Sequence, residues 1–87
     1  MDGKASLTAA ELAVLISIWP GGTHHRGAAA DVFSACGRAG RWLLVAKRAD
    51  GGYVLVEDGG RHSRCGGSLA ALGLPDRPIR TLRSRPQ

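Results

Sequence analysis

Apolar positions fall into patterned runs that stop at glycine pairs. Leu12, Leu15, Ile16 and Trp19 recur at i, i+3, i+4 and i+7, one face of a helix. Thr8 with Glu11 three residues later forms a capping box at its start, Leu7 can staple onto Leu12, and Pro20 with Gly21-Gly22 ends it. Ala29, Val32, Phe33 and Cys36 repeat that spacing, which predicts a second helix over about Ala28 to Cys36, with Gly37 placed to cap it. From Arg41 to Asp58 two apolar runs flank Asp50-Gly51, the dipeptide of a two-residue type I′ hairpin turn. Such a turn sets Ala49 opposite Gly52, then Arg48 opposite Tyr53, Lys47 opposite Val54, Ala46 opposite Leu55 and Val45 opposite Val56. Ser68 is placed to cap a short last helix over Leu69 to Leu72, and Pro75 and Pro78 mark an exit into a tail. The expected fold is α+β: two helices packed on a β-hairpin, with a short third helix and a basic C-terminal tail. Residues 1–7 read as a flexible N-terminus, 8–74 as one small globular domain and 75–87 as the Pro/Arg-rich tail.

Composition narrows the functional classes. A chain of 87 residues with 13 glycines has a small core and a thin stability margin, which argues against an elaborate buried active site. The net charge is +5, and +3 of it falls in the tail, where Arg77, Arg80, Arg83 and Arg85 oppose Asp76 alone. A nearly balanced globule with a cationic tail suits a polyanionic partner: nucleic acid, a nucleoprotein complex or an acidic protein surface. No run approaches the length of a membrane span, and the Leu12 to Trp19 run lacks the flanks of an export signal. The expected setting is therefore cytoplasmic, with Cys36 and Cys65 reduced.

The hairpin segregates charge along its length, with Lys47 and Arg48 near its tip and Glu57 and Asp58 at its base. That pattern reads as an orientation device, a cationic tip toward an anionic partner. Arg38 and Arg41 before the hairpin, Arg61 and Arg64 after it, and the tail arginines are further phosphate-contacting candidates, and such contacts give salt-dependent affinity with little sequence information. Trp42 is expected in the core, and Tyr53 is assigned either to stacking on a partner or to a cross-strand pair under Arg48. The candidate contact set is Arg41, Lys47, Arg48, Tyr53, Arg61, Arg64, Arg77, Arg80 and Arg83.

Two helices followed by a hairpin with a cationic tip resemble the layout of winged-helix DNA-binding domains, and Leu7-Thr8-Ala9-Ala10-Glu11-Leu12-Ala13-Val14-Leu15 is similar to the first helix of many bacterial helix-turn-helix regulators. That resemblance implies a recognition helix of about ten residues ahead of the wing. Only Gly37 to Gly40 lies between Cys36 and Arg41, so no family is assigned. Other chemistry is sparse. His24, His25, Cys36, His62 and Cys65 are competent zinc ligands, but only His62 and Cys65 have chelating spacing, and neither a metal nor a cofactor is expected. Ser63 and Cys65 flank His62 without a third group to orient it, and Glu57 and Asp58 alternate across a strand, so no enzyme is expected. The expected function is a small non-catalytic binding module of bacterial or phage type that engages nucleic acid or a nucleoprotein complex. The alternative is a protein-binding inhibitor or adaptor of a larger host machine, the class to which anti-CRISPR proteins belong.

Overall fold

The computed structural model describes residues 6–27 and 30–79, and the backbone alone of Arg38. One helix, α1 (Ala9–Ile18), precedes an antiparallel sheet of five strands: β1 (Thr23–Arg26), β2 (Ala30–Cys36), β3 (Trp42–Arg48), β4 (Tyr53–Glu57) and β5 (His62–Gly66). The strands are hydrogen-bonded in chain order, so every connection is a local turn and the sheet is a meander. A 3₁₀ turn over Ala70–Leu72 follows β5. Among the described residues no helix is long and apolar enough to cross a membrane.

This architecture corrects the expectation of two helices on a hairpin. The predicted second helix is strand β2, paired along its whole length with β3 from Ala30↔Arg48 to Cys36↔Trp42. Seven residues carry both periods at once: Val32, Phe33 and Cys36 satisfy helical spacing, while Asp31 and Phe33 point inward and alternate with Val32 and Ser34. Period alone does not separate a short apolar helix from a strand, and pairing with β3 decides the conformation. The predicted third helix is reduced to the single 3₁₀ turn, with Ser68 Oγ accepting from Ala71 N at 3.1 Å as a cap.

The hairpin register is also shifted. Lys47 faces Tyr53, Ala46 faces Val54 and Val45 faces Leu55, one residue away from the two-residue-turn register. The loop holds three residues, 49–51: Arg48 N donates to Gly52 O at 2.7 Å and Gly51 N to Arg48 O at 2.8 Å. Gly51 closes it at φ 93°, a left-handed conformation that glycine adopts without steric cost. Asp50 Oδ1 accepts from Gly52 N at 2.8 Å and holds the turn from inside.

The inner face of the sheet carries Phe33, Val45 and Leu55 on its three central strands, and α1 lies over them. Leu7, Val14, Leu15, Tyr53, Leu69 and Leu72 complete the buried cluster, with Leu12, Ile18 and Trp19 packed at its edge. Thr8 caps α1 as expected, in a complete capping box with Glu11. Val14 and Leu15 are buried, and Glu11, Leu12, Ile18 and Trp19 are partly so; of the face read by apolar spacing, Leu12, Leu15 and Trp19 pack on the sheet, and Ile16 alone is turned outward, 48% exposed. The helix is apolar nearly all round, which leaves its phase to be set by the partners of Glu11. Leu15→Ala, at a side chain with 0% exposure, is expected to lower unfolding free energy by about 2–5 kcal/mol. Ile16→Ala is expected to cost less than about 1 kcal/mol, both read by urea denaturation.

Candidate functional site

Charged residues on the inner face are consumed by the fold. Asp31, Lys47 and Tyr53 are aligned across β2, β3 and β4, and α1 brings Glu11 down onto them. Tyr53 Oη donates to Glu11 Oε2, Lys47 Nζ lies 3.6 Å from Glu11 Oε1, and the same ammonium sits 5.3 Å from the centroid of the Tyr53 ring. Asp31, 2% exposed, accepts from the Leu7 amide at 2.7 Å and meets His24 Nε2 at 3.0 Å. Burial pushes the Asp31 and Glu11 carboxyls up. The Leu7 amide and His24 outweigh it at Asp31, and the Tyr53 hydroxyl, the Thr8 amide and Lys47 outweigh it at Glu11, so both sit below the ordinary carboxylate range. For Lys47, burial lowers the value, but Tyr53 and Glu11 outweigh it and hold the ammonium above its usual range.

Two members of the expected contact set are thereby turned inward. Lys47 is 13% exposed and Tyr53 6%. Arg48, expected over Tyr53, instead points to the opposite face and pairs with Asp50 at 3.0 Å. The one-residue register shift is the cause, because it exchanges the two faces for every side chain of one strand relative to the other.

The opposite end of the sheet gathers Arg41 and Arg61. The β2–β3 and β4–β5 connections meet there, each folded as a 3₁₀ turn, Arg38–Gly40 and Asp58–Gly60. Arg41 Nη1 donates to Asp58 Oδ1 at 2.6 Å and ties the two together. Both turns hold a non-glycine residue in the left-handed region, Ala39 at φ 59° and Asp58 at φ 56°. Asp58 tolerates that conformation better than alanine does, and a left-handed alanine costs about 1–3 kcal/mol, a strain of the kind found beside binding sites.

Trp42 stands between these turns. The residue expected in the core is 49% exposed, because the β3 parity that buries Leu43 and Val45 sends Trp42 outward with Leu44, Ala46 and Arg48. Its indole rests on the β4–β5 turn so closely that a Cβ at position 60 would meet Cζ2 at 3.3 Å, and Gly60 itself has φ 100°. The positive φ favours glycine there, and a Cβ would press on the indole. Arg41, Trp42, Asp58 and Arg61 line a cleft of about 440 Å³. A second cleft of about 570 Å³ on the α1 side shares Arg41 and Asp58 and adds Trp19, Glu57, His62 and Arg64.

Arg64 is exposed at the sheet edge, 3.8 Å from Glu57, and donates to Leu72 O at 3.2 Å. Arg77 is exposed beside Asp76, while Arg80 and Arg83 lie outside the described residues. Among the described residues no three His, Cys, Asp or Glu side chains come together as metal ligands, and Cys36 and Cys65 are free and exposed. His62 and Ser63 alternate across β5 and do not face one another.

Two measurements separate structural from surface charge. Lys47→Glu sets a carboxylate against Glu11 and is expected to lower stability by about 2–5 kcal/mol, whereas Arg48→Glu is expected to change it by less than about 0.5 kcal/mol, both by thermal melting. Asp31 and Glu11 bind protons less readily in the folded chain than in the unfolded one. The stability they contribute is present above the unfolded carboxylate values and is lost as pH falls through the lowered folded values, so the melting temperature should drop below about pH 4. Asp31→Asn should flatten that acid limb.

No protein-family model matches this chain, and neither a curated protein nor a solved structure does, so the geometry of the chain itself carries the functional reading.

Proposed function

We propose that this protein is a non-catalytic binding module that engages nucleic acid, free or in a nucleoprotein complex, at the Trp42 end of its sheet, with single strands as the preferred form. The observation that carries the reading is the half-exposed indole of Trp42, fixed on a Gly-Gly turn and flanked in one cleft by Arg41 and Arg61. An indole held on one side by backbone and open on the other is a platform for a base, and stacking of this kind contributes about 1–3 kcal/mol per base. Arg41 is oriented by Asp58, which leaves its remaining guanidinium donors for a phosphate. Arg61 projects into the same cleft, and among the described residues it has no carboxylate within ion-pair distance. The tail arginines Arg77, Arg80 and Arg83 add sequence-independent attraction to the same polyanion.

The preference for single strands follows from shape. The described residues present no free helix for a major groove, whereas an exposed aromatic beside two arginines matches an unpaired base and its phosphates. Fluorescence anisotropy with a labelled oligonucleotide at low salt is expected to show binding that weakens steeply as salt is raised. Trp42→Ala should weaken it about 5- to 100-fold, and Arg61→Ala should lower both the affinity and the salt slope, by about 0.7 for one lost phosphate contact. An unchanged affinity in Trp42→Ala, or no binding to any oligonucleotide at low salt, would sink the proposal. A pull-down whose captured material survives nuclease treatment would assign the module to a protein partner, as an inhibitor or adaptor.

A further inference from the structure

The sheet has a second face, and its central strands lack the polar outer pattern of a sheet that meets water on one side. Val32, Ala46 and Val54 are aligned across β2, β3 and β4, and Ser34, Leu44 and Val56 form the adjacent row. All six are only partly exposed, and five of them are apolar. Around them stand Thr23, His25, Ser63 and Cys65, each paired in register with this patch. The buried cluster that joins α1 and the Leu69 and Leu72 side chains to the sheet lies wholly on the other side.

We propose that this outer face is the interface of a homodimer, in which two copies pack face to face with their strands antiparallel, the hairpin tip of one over the Trp42 end of the other. The outward residues of β3 read Trp42, Leu44, Ala46, Arg48. A two-fold axis lying in the interface, across the strands, lays this row on its own reverse. Leu44 of one copy then covers Ala46 of the other, large against small, and Arg48 comes to the rim of the second copy's Trp42 cleft, beside its Asp58 and indole. The same operation lays Val54 on Val56. A closed interface of this isologous kind must be self-complementary, and this row is. The alternative axis, along β3, sets Arg48 against Arg48 and Leu44 against Leu44, so like charge and the match of large to small side chains both disfavour it.

The area agrees with a dimer of modest affinity. Five strands about 4.8 Å apart, with a longest outward run of seven residues at about 3.3 Å each, present a face of roughly 500 Å². Two such faces bury on the order of 1,000 Å², the lower limit for a specific interface. The dimer sets Arg48 of each copy at the Trp42 end of the other.

Sedimentation velocity of the full chain between about 5 µM and about 500 µM tests this, a range suited to an interface at the lower limit of specific size. The expected result is a mass that rises with concentration from the 9.1 kDa of one chain toward twice that value. Val54→Lys should hold the protein at the single-chain mass with its circular dichroism unchanged. Should that variant fail to fold, Arg48→Glu on the exposed hairpin tip carries the test, with an expected rise in dissociation constant of about threefold to tenfold at low salt. A wild-type mass fixed at one chain throughout, or a folded Val54→Lys that associates as the wild type does, would overturn the proposal and leave the face to a different protein. An unchanged constant in Arg48→Glu would overturn the tip-to-base arrangement. The experiment contains no oligonucleotide, so failure here and failure of the nucleic-acid reading are separate results.

Discussion

At the hairpin tip the Gly52 amide donates to Asp50 Oδ1 and Gly51 turns at φ 93°, which closes a loop of three residues between Arg48 and Gly52. The β3–β4 register follows from that loop, and with it the face on which each hairpin side chain lies. Lys47 and Tyr53 face each other on the inner side, where Glu11 can reach both. A two-residue turn would set Lys47 across from Val54 and divide this trio between two faces. A backbone turn of three residues thus decides whether a charged network or a charged surface forms.

The network in turn seats the helix. α1 has apolar side chains on nearly every side, so burial alone orients it weakly, whereas Glu11 has one place where a hydroxyl, an ammonium and its own capping box meet it. Asp31 does the same for the chain ahead of the helix by taking the Leu7 amide. Buried carboxylates are costly unless each oxygen is satisfied. Here, among the described residues, no buried side-chain nitrogen or oxygen lacks a partner. The polar groups under α1 therefore act as specificity determinants for its rotation and entry, at the boundary of a core too small to impose them by volume.

What remains for function is what the network leaves outside. With Lys47 and Tyr53 drawn inward, the tip keeps Arg48, paired with Asp50, while at the other end of the sheet Arg41 bridges two strained turns and Trp42 lies on glycine backbone. Both sheet edges are polar, His-Arg on β1 and His-Ser-Arg on β5, which discourages strand addition. The apolar outer face lies between those edges, so the association proposed for it is face to face and not edge to edge. An exposed aromatic cleft lined by arginines at one end and an apolar outer face beside it are the two surfaces on which the proposals rest.

Local signals in the sequence were sufficient for some of this. Thr8 and Glu11 specify the start of α1, Ser68 caps the last turn, and the apolar runs around Asp50-Gly51 mark β3 and β4, because caps, turns and central strands are written in neighbouring residues. Strands β1 and β5, Thr-His-His-Arg and His-Ser-Arg-Cys-Gly, have no apolar alternation to reveal them, and only the open edges of β2 and β4 give them a conformation. β2 was ambiguous for a different reason, since seven residues satisfied a helical and an extended period alike and the partner strand chose between them. Of the apolar stripe of α1, Leu12, Leu15 and Trp19 pack on the sheet and Ile16 does not, while the half-buried Glu11 shares the packed side, a place that apolar spacing does not show until Tyr53 and Lys47 are there to meet it. Of the candidate site, Arg41 and Arg61 were legible as cations. Their convergence on an exposed Trp42 was not, because it depends on strand parity and on the meeting of two turns 17 residues apart, across Arg41 and Asp58. Tertiary pairing decided which faces exist, and the sequence by itself determined what each face would carry once it did.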